Sequence, residues 1–394
     1  MIDSVGAWVA LVNGKIVRAA EVTQGEAVVV AAGKIIGVAR EGDLGSEIAR
    51  VDVGGRTITP GLIDLHTHGA VGHTFNEPTA EAFAAITREN ARRGVTSLLA
   101  TLAPAPLADL AQCFAFAREW MRGNHAGAQI LGAHLESPYV NGAQKGALDP
   151  ENIRQPDDGS VDALLEFADG LKILVLAPEL PGALALVEKL ARRGIVPAAG
   201  HSMARDSDVR AAMQVGLRHV THIWSAMSTV VREGPWRKPG LLEAALTFDG
   251  LTVEMICDNK HLPATLMQLG YKCIGADRLC VISDATSGAG LPQGSRFKMG
   301  GMEYEVADGV GMMFDRTAFA GSSTLLNEMI PVLLDVVGVP LAEAIRMMTL
   351  TPARVIGVAE RKGRIAPGMD ADLAIFDADW TAWKAMIGGK WATP

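Results

Sequence analysis

The chain has 394 residues, of which 49% are hydrophobic and 20% charged, and its formal net charge is −8. This length predicts one large domain and a smaller one, because single cores stop growing beyond about 250–300 residues. The acidic balance argues against nucleic acid and anionic membrane surfaces as primary partners. No apolar run is long enough to predict a transmembrane helix.

The four cysteines show no Cys-x-x-Cys spacing, and Cys257 and Cys280 fall inside apolar runs. This usage is typical of a reduced protein without disulfides or thiolate zinc sites. The N-terminal sequence has no basic region followed by a long apolar segment, so no signal peptide is predicted. We therefore expect a cytoplasmic protein.

The two ends of the chain predict short strands separated by turns. In AWVALVNGKIV, Asn13-Gly14 lies between two apolar runs, which is the strongest short-range signal for a β-hairpin. AVVVAAGKIIGVA repeats this pattern around Gly33, and KGRIAPGMDADLAIFD and AMIGGKWA return to short strands near the C-terminus. We expect residues 1–56 and 358–394 to form one small β-sandwich domain.

The central part of the chain alternates apolar strand patterns with helical patterns such as TAEAFAAITRENARRG and ALALVEKLARRG. Such alternation indicates a parallel sheet covered by helices. Eight units predict an α/β fold, a closed (β/α)₈ TIM barrel over residues 57–357, with an open doubly wound sheet as the alternative. The segment LPQGSRFKMGGMEYEVADGVGMMF predicts a β-hairpin insertion after the last strand. The predicted barrel strands are Ile58–Leu65, Thr96–Leu102, Ile130–Glu136, Lys172–Pro178, Val196–His201, His219–Trp224, Thr252–Cys257 and Leu279–Ser283.

Histidine and acidic residues collect at the predicted C-terminal ends of these strands, where barrel enzymes carry their catalytic groups. His66 and His68 are two residues apart, so both side chains project from the same face of one strand. A single histidine at a strand end is usually only a polar residue near a loop. Here, however, five strand ends carry a histidine or a carboxylate. Imidazole and carboxylate are ordinary ligands of divalent metals, so the pattern predicts a metal site, with zinc preferred. The other four candidates are Glu136, His201, His222 and Asp284.

These motifs resemble the amidohydrolase superfamily, in particular the N-acetylglucosamine-6-phosphate deacetylases. PGLIDLHTHG, HLESPY, AGHSMA, THIWSAMS, CDNKH and ISDATSGAG occur in the order of that family over nearly the whole chain. Lys172 lies at the wrong end of its strand to become a carbamylated metal bridge, which argues against dihydropyrimidinase-like relatives.

The resemblance implies a role for each of these groups. Glu136, His201 and His222 would hold the principal metal ion, and His66 and His68 would allow a second. Asp284 would act as the general base and then as the general acid, although an aspartate at this position could instead cap a following turn.

The substrate-reading positions depart from the family pattern. Ser225-Ala226 stands where deacetylases typically have Asn-Ala, and Leu148 stands where they have a sugar-binding histidine. His261 is expected to contact the substrate. Arg232 and Arg237 lie in a basic loop that could receive a sugar phosphate, across the interface of a homodimer, or could simply be solvated.

The expected function is therefore the removal of an acetyl group from an N-acetylated amino sugar, N-acetylglucosamine 6-phosphate or a close relative, with one or two divalent ions as cofactor. The departures predict that N-acetylglucosamine 6-phosphate itself is a poor substrate. One alternative keeps the chemistry but changes the substrate to another N-acyl or cyclic amide. A second alternative is a non-catalytic metal- or sugar-binding protein, against which the intact Asp284 argues.

Overall fold

The structure is a computed structural model that describes residues 8–18, 20–123 and 125–392. The outer ends of the predicted β domain, residues 1–7 and 393–394, lie outside the described residues, as do residues 19 and 124.

Within the described residues, eight parallel strands form one sheet in which each strand neighbours the next along the chain. The sheet closes between its first and last strands: Thr67 bridges to Ala285, and the Asp284 N–H donates to the His66 carbonyl oxygen at 2.9 Å. The predicted TIM barrel is therefore confirmed, and the open doubly wound sheet is excluded. The strands are β1 (Leu62–Thr67), β2 (Val95–Leu102), β3 (Gln129–Glu136), β4 (Leu171–Leu176), β5 (Val196–Ala199), β6 (His219–Val220), β7 (Thr252–Ile256) and β8 (Leu279–Ile282).

Helices follow the strands and cover the outside of the barrel. They bury apolar stripes against β1–β8 in one large core, in which Leu98, Leu174 and Val253 have no exposed surface. Thr79 caps the first helix by accepting a hydrogen bond from the Ala82 N–H. The α-helices are α1 (Ala80–Arg92), α2 (Leu107–Arg122), α3 (Ser160–Glu166), α4 (Ala183–Arg192), α5 (Asp206–Gln214), α6 (Leu241–Thr247), α7 (Ala264–Ile274), α8 (Met329–Pro331), α9 (Leu341–Met347) and α10 (Leu350–Val355). Short 3₁₀ turns cover Glu41–Asp43, Gly142–Gln144, Pro150–Asn152 and Leu326–Glu328, and a π-helix covers Val332–Val337.

Both chain ends build a β-sandwich against this barrel, as predicted. Its apolar interior joins Leu11 and Val28 of one sheet to Ile58, Leu373 and Met386 of the other. In the described residues, one sheet has the order Lys34–Arg40, Glu26–Ala31, Val9–Val12, Ala49–Asp52. The other has the order Lys390–Trp391, Ala382–Ile387, Leu373–Phe376, Thr57–Pro60, Lys15–Val17, Val22–Thr23. The exact division of the chain at residues 56/57 and 357/358 stays a prediction.

The predicted hairpin at Asn13-Gly14 is wrong, because the two flanking strands enter different sheets. Val9–Val12 pairs with strands of the four-stranded sheet, whereas Lys15–Val17 pairs with Thr57–Pro60. A Cβ atom at Gly14 would lie 2.7 Å from a Val53 methyl group, so glycine is needed here for a close approach at the corner of the sandwich. The turn around Gly33 does form a hairpin, with Ala31 opposite Lys34.

An antiparallel sheet is inserted between β8 and α8, where a hairpin was predicted. In the described residues its strands are Arg296–Met299, Met302–Ala307, Val310–Met312 and Phe319–Ser322. It packs over the barrel mouth, and the Tyr304 hydroxyl donates to the Ala147 carbonyl oxygen at 2.6 Å. The described residues also form two small hairpins, Gly69–Ala70 with His73–Thr74 and Val231–Glu233 with Trp236–Lys238. Among the described residues, no helix combines the length and apolarity that crossing a bilayer requires.

Candidate active site

Three of the predicted metal ligands converge at the C-terminal ends of β3, β5 and β6. Glu136 is the last residue of β3, and its Oε1 lies 2.8 Å from His222 Nε2 and 3.1 Å from His201 Nε2. The two imidazole nitrogens are 3.1 Å apart. All three side chains are buried, so the three donor atoms face one another away from bulk solvent.

A second group of donors adjoins the first and shares Glu136 with it. His66 Nε2 and His68 Nε2 lie 3.3 Å apart at the end of β1. His68 Nε2 is 3.1 Å from Glu136 Oε2, and His66 Nε2 is 3.5 Å from Glu136 Oε1. Asp284 Oδ1 is 3.3 Å from His66 Nε2 and 3.6 Å from His68 Nε2. Six predicted side chains therefore meet in one cluster.

The hydrogen bond behind His201 fits a metal site. His201 Nδ1 lies 2.8 Å from the Gln144 carbonyl oxygen, which can only accept, so this nitrogen carries the proton. In the neutral imidazole His201 Nε2 is then a bare lone pair that points at a carboxylate oxygen, an arrangement that a cation between the two acceptors would stabilise. Ligand atoms at about 2.0–2.1 Å from a tetrahedral metal lie about 3.3 Å apart, which is close to the observed separations.

The electrostatic field of the cluster also favours a cation. Burial by itself would lower the pKa of His66, but the carboxylates of Glu136, Asp284 and Glu254 hold it well above its usual value. Burial would likewise raise the pKa of Glu136, yet the charge of His66 and hydrogen bonds from the neighbouring imidazoles hold it well below the ordinary range. The two shifts are reciprocal: the carboxylates favour positive charge on His66, and the imidazoles favour the ionised form of Glu136, so the cluster holds negative charge that attracts a cation.

A buried carboxylate, Glu254 of β7, lies directly behind the cluster and was missed at the sequence level. Its Oε2 is 3.1 Å from His66 Nδ1 and accepts from the Thr221 hydroxyl at 2.6 Å, while its Oε1 is 3.0 Å from His219 Nε2. The only signal for it is a glutamate inside the otherwise apolar strand TVEMI. His219 is thus part of the support behind the site.

His134 packs behind the cluster as well. Its ring meets that of His66 edge to face at 4.4 Å, and its Nδ1 lies 3.1 Å from the Leu65 carbonyl oxygen. Burial lowers the pKa of His134 to about 3, so the ring is neutral near pH 7. Its contacts are those of a packed, uncharged support.

A cavity of about 200 Å³ opens above the cluster, and the predicted substrate residues Leu148, Ser225, Ala226 and His261 all line it. Its outer wall is apolar, because Met299 and Phe319 to Ala320 of the inserted sheet contribute to it. These wall residues were not predicted, since the sequence does not indicate where the inserted sheet folds. A larger cavity of about 650 Å³ lies at the opposite end of the barrel, near the start of β3, away from these groups.

His261 is held in place by a neighbouring carboxylate. Its Nδ1 lies 2.8 Å from Asp258 Oδ2, which also accepts from the Ser322 hydroxyl at 2.9 Å. Burial alone would raise the pKa of Asp258, but the hydrogen bond and charge of His261 hold it below the usual value. This arrangement leaves the opposite nitrogen of the His261 ring available on the cavity side.

Arg232 and Arg237 are the two predicted substrate residues that lie outside this cavity. They stand opposite each other on the exposed hairpin formed by Val231–Glu233 and Trp236–Lys238. Trp236 at its turn is 70% exposed. The structure therefore brings ten of the twelve predicted site residues together and leaves the two arginines on a projecting arm.

Three residues that line the site have a strained backbone. His201, Ala226 and Asp284 have φ values of +46°, +48° and +48°, in the left-handed region that residues other than glycine rarely adopt. Such positions cost about 1–3 kcal/mol each and persist where the surroundings hold them. Two of the three belong to the donor cluster, so the fold accepts local strain to aim these side chains.

The model of the amidohydrolase family matches residues 57–392. N-acetylglucosamine-6-phosphate deacetylase of Haemophilus influenzae is 32% identical over 385 residues, which cover 97% of this chain and 98% of that protein. N-acetylgalactosamine-6-phosphate deacetylase of Escherichia coli is 32% identical over 341 residues, 85% of this chain and 88% of that protein.

A solved structure extends the similarity to the fold. The crystal structure of N-acetylglucosamine-6-phosphate deacetylase from Pasteurella multocida superposes with a TM-score of 0.92 at 29% identity, covering 98% of this chain and 100% of that one. The closed barrel, the buried histidine–carboxylate cluster and these similarities agree. The chain belongs to the metal-dependent amidohydrolase family, within it to the N-acetylglucosamine-6-phosphate deacetylases, and is a hydrolase of amide C–N bonds.

Proposed function

We propose that this enzyme removes the acetyl group from an N-acetylhexosamine 6-phosphate and that zinc is its metal. The relatives divide between the glucosamine and galactosamine forms of this substrate in their names, so the class is proposed here rather than one epimer. The observation that carries the proposal is the position of Asp284, whose Oδ1 lies 3.3 Å from His66 Nε2 at the floor of the cavity.

Glu136, His201 and His222 would hold the principal ion, and His66 and His68 would hold a second with Glu136 between them. A bound divalent metal acts as a Lewis acid that polarises a carbonyl oxygen and makes water a better nucleophile near pH 7. Asp284 accepts the proton of the attacking water. It then donates this proton to the amine nitrogen as the C–N bond breaks, which releases acetate and the free amino sugar. His261, Ser225, Ala226 and Leu148 border the space that the sugar would occupy.

The phosphate would be received by Arg232 and Arg237, whose guanidinium groups suit bidentate binding of an anion. Both lie on the exposed hairpin and neither lines the cavity of its own chain. We therefore propose a homodimer in which the hairpin of one chain reaches the cavity of the other. The four free cysteines fit a reducing, cytoplasmic environment.

The direct test is a panel of N-acetylated substrates with amine release as the readout. It should contain N-acetylglucosamine 6-phosphate, its galacto epimer, both sugars without phosphate, and simple N-acyl and cyclic amides. We expect the 6-phosphates to have the highest kcat/KM. Turnover of the non-sugar amides with none of the phosphorylated sugars would contradict the proposed substrate and favour the other amidohydrolase reaction.

A further inference from the structure

We propose that Glu254 is a positioning residue that decides whether the site holds its second metal ion. Glu254 has no exposed surface and sits behind His66, on the side of the ring opposite the metal-facing nitrogen. With His66 and His134 it forms a third group of closely spaced donor atoms, separate from the group formed by Glu136, His201 and His222. The inference concerns metal binding by residues of this chain and does not depend on which sugar is hydrolysed.

The ability of His66 to bind a metal through Nε2 depends on which of its ring nitrogens carries the proton. Glu254 Oε2 lies 3.1 Å from His66 Nδ1, and an ionised carboxylate can only accept a hydrogen bond. In the neutral imidazole that can bind a metal, the proton therefore resides on Nδ1, and Nε2 presents its lone pair toward His68 and Glu136. A metal-binding histidine is commonly oriented in this way by a carboxylate on its other nitrogen, which also makes it a stronger ligand.

The remaining contacts of Glu254 hold the carboxylate itself in one orientation. Thr221 donates to Oε2 at 2.6 Å, and the His222 N–H lies 3.4 Å from the same oxygen. His219 Nε2 lies 3.0 Å from Oε1. Since Thr221 and His222 are consecutive in the chain, this bonding also links His66 to a ligand of the principal ion.

The two metal positions depend on Glu254 unequally. The ring of His66 contacts Glu254 directly. The ring of His201 does not, because it is oriented by the Gln144 carbonyl oxygen at 2.8 Å. Loss of the carboxylate frees His66 to rotate or to move its proton to Nε2, which removes a ligand from the second position. The principal position keeps its carboxylate and both of its histidines.

The test compares metal content in full-length protein loaded with Zn²⁺ and equilibrated against chelator buffers of graded free Zn²⁺. In Glu254→Leu we expect the second equivalent to bind about 10–100-fold more weakly, the usual effect of losing such a partner. The first equivalent should be retained with its original affinity. Glu254→Gln should recover much of the second equivalent, because its amide oxygen can still accept from His66 Nδ1.

Asp64→Asn is the matched control. Asp64 is equally buried and accepts from the backbone N–H of His66 at 3.2 Å, but it does not touch the ring. It should keep both equivalents. Equal weakening in this control and in Glu254→Leu, or unchanged binding of both equivalents in Glu254→Leu, would overturn the proposal.

One measurement needs no variant and so does not depend on how well the variants fold. In ¹⁵N-histidine-labelled, zinc-loaded wild-type protein, long-range ¹H–¹⁵N spectra should show His66 protonated on Nδ1 and bound to metal through Nε2. Coordination through Nδ1 would overturn the proposal.

A third equivalent of zinc that disappears in Glu254→Leu would also overturn the proposal, because Glu254 would then be a ligand.

Discussion

Asp284 donates its backbone N–H to the carbonyl oxygen of His66 at 2.9 Å, while its own carboxylate lies 3.3 Å from the ring of the same histidine. The first contact closes the barrel between β8 and β1. The second places the proposed base against the metal-facing edge of the site. The same two residues thus close the barrel and position the proposed base in the site.

Asp284→Asn separates the chemical role of this residue from its structural one. The amide keeps the size of the side chain but cannot accept the proton of the attacking water. We expect turnover to fall by about 10²–10⁴, the usual contribution of a positioned acid–base group, with metal content and thermal stability retained. Wild-type turnover in this variant would assign Asp284 to the turn that follows β8 and not to catalysis.

Metal binding is tested by removing two ligands at once. The double variant His201→Ala, His222→Ala leaves Glu136 without either imidazole of the principal position. Elemental analysis of protein purified without chelators should show near-stoichiometric metal in the wild type and a strong loss in the variant. A wild-type preparation that is free of metal and fully active would refute the metal-dependent reaction.

The proposed exchange of arginines between subunits can be tested with hybrid dimers. A chain carrying Arg232→Ala and Arg237→Ala lacks the proposed phosphate-binding arginines of the hairpin arm. A chain carrying Asp284→Asn lacks the base. If the arm acts on the other subunit, a hybrid contains one complete site, so mixing the two inactive parents should give activity above their sum. Additive activity after verified subunit exchange would show that the arm does not act across the interface.

The departures at Leu148 and Ser225 predict altered substrate preference. Leu148 is buried in the cavity wall and offers no hydrogen bond to a sugar hydroxyl. Each buried hydroxyl left unpaired costs about 1–3 kcal/mol. Leu148→His with Ser225→Asn should therefore raise kcat/KM for N-acetylglucosamine 6-phosphate relative to its galacto epimer.

The unmodified protein provides the comparison for that experiment. Its kcat/KM for N-acetylglucosamine 6-phosphate should lie below about 10⁵ M⁻¹s⁻¹, within the lower part of the ordinary enzyme range. A higher value would mean that both replacements are neutral and that the cavity recognises this sugar by other groups.

Thiol reactivity provides an independent check of the packing. Cys273 is exposed, whereas the other three cysteines are buried. Burial raises the pKa of Cys113 to about 11 and the pKa values of Cys257 and Cys280 well above the usual range. Because the thiolate is the reacting form, native protein should show one fast-reacting thiol per chain, which Cys273→Ser removes. A second fast thiol in the native state would contradict the described core.

The local pattern of the sequence was sufficient for the barrel and for the donor set. Alternating strands and helices specify a parallel sheet, and parallel strands bring their C-terminal ends to one rim. His66, Glu136, His201 and Asp284 could therefore be assigned to one site from their positions at strand ends alone. These assignments depend on the alternation of strand and helix patterns along the sequence and on the direction of the strands. Both are properties of the local sequence.

Tertiary structure decided what local pattern leaves open. Asn13-Gly14 has the residues of a hairpin turn, but the partners available to each flanking strand direct them into separate sheets. Glu254 reads as an isolated charge in an apolar strand until the barrel closes and brings β7 behind His66. The same holds for Arg232 and Arg237, which follow β6 in the chain but project on an exposed arm. Strand pairing, barrel closure and the position of the hairpin depend on contacts between segments that are distant in sequence. The periodicity of residues along the chain therefore does not predict them.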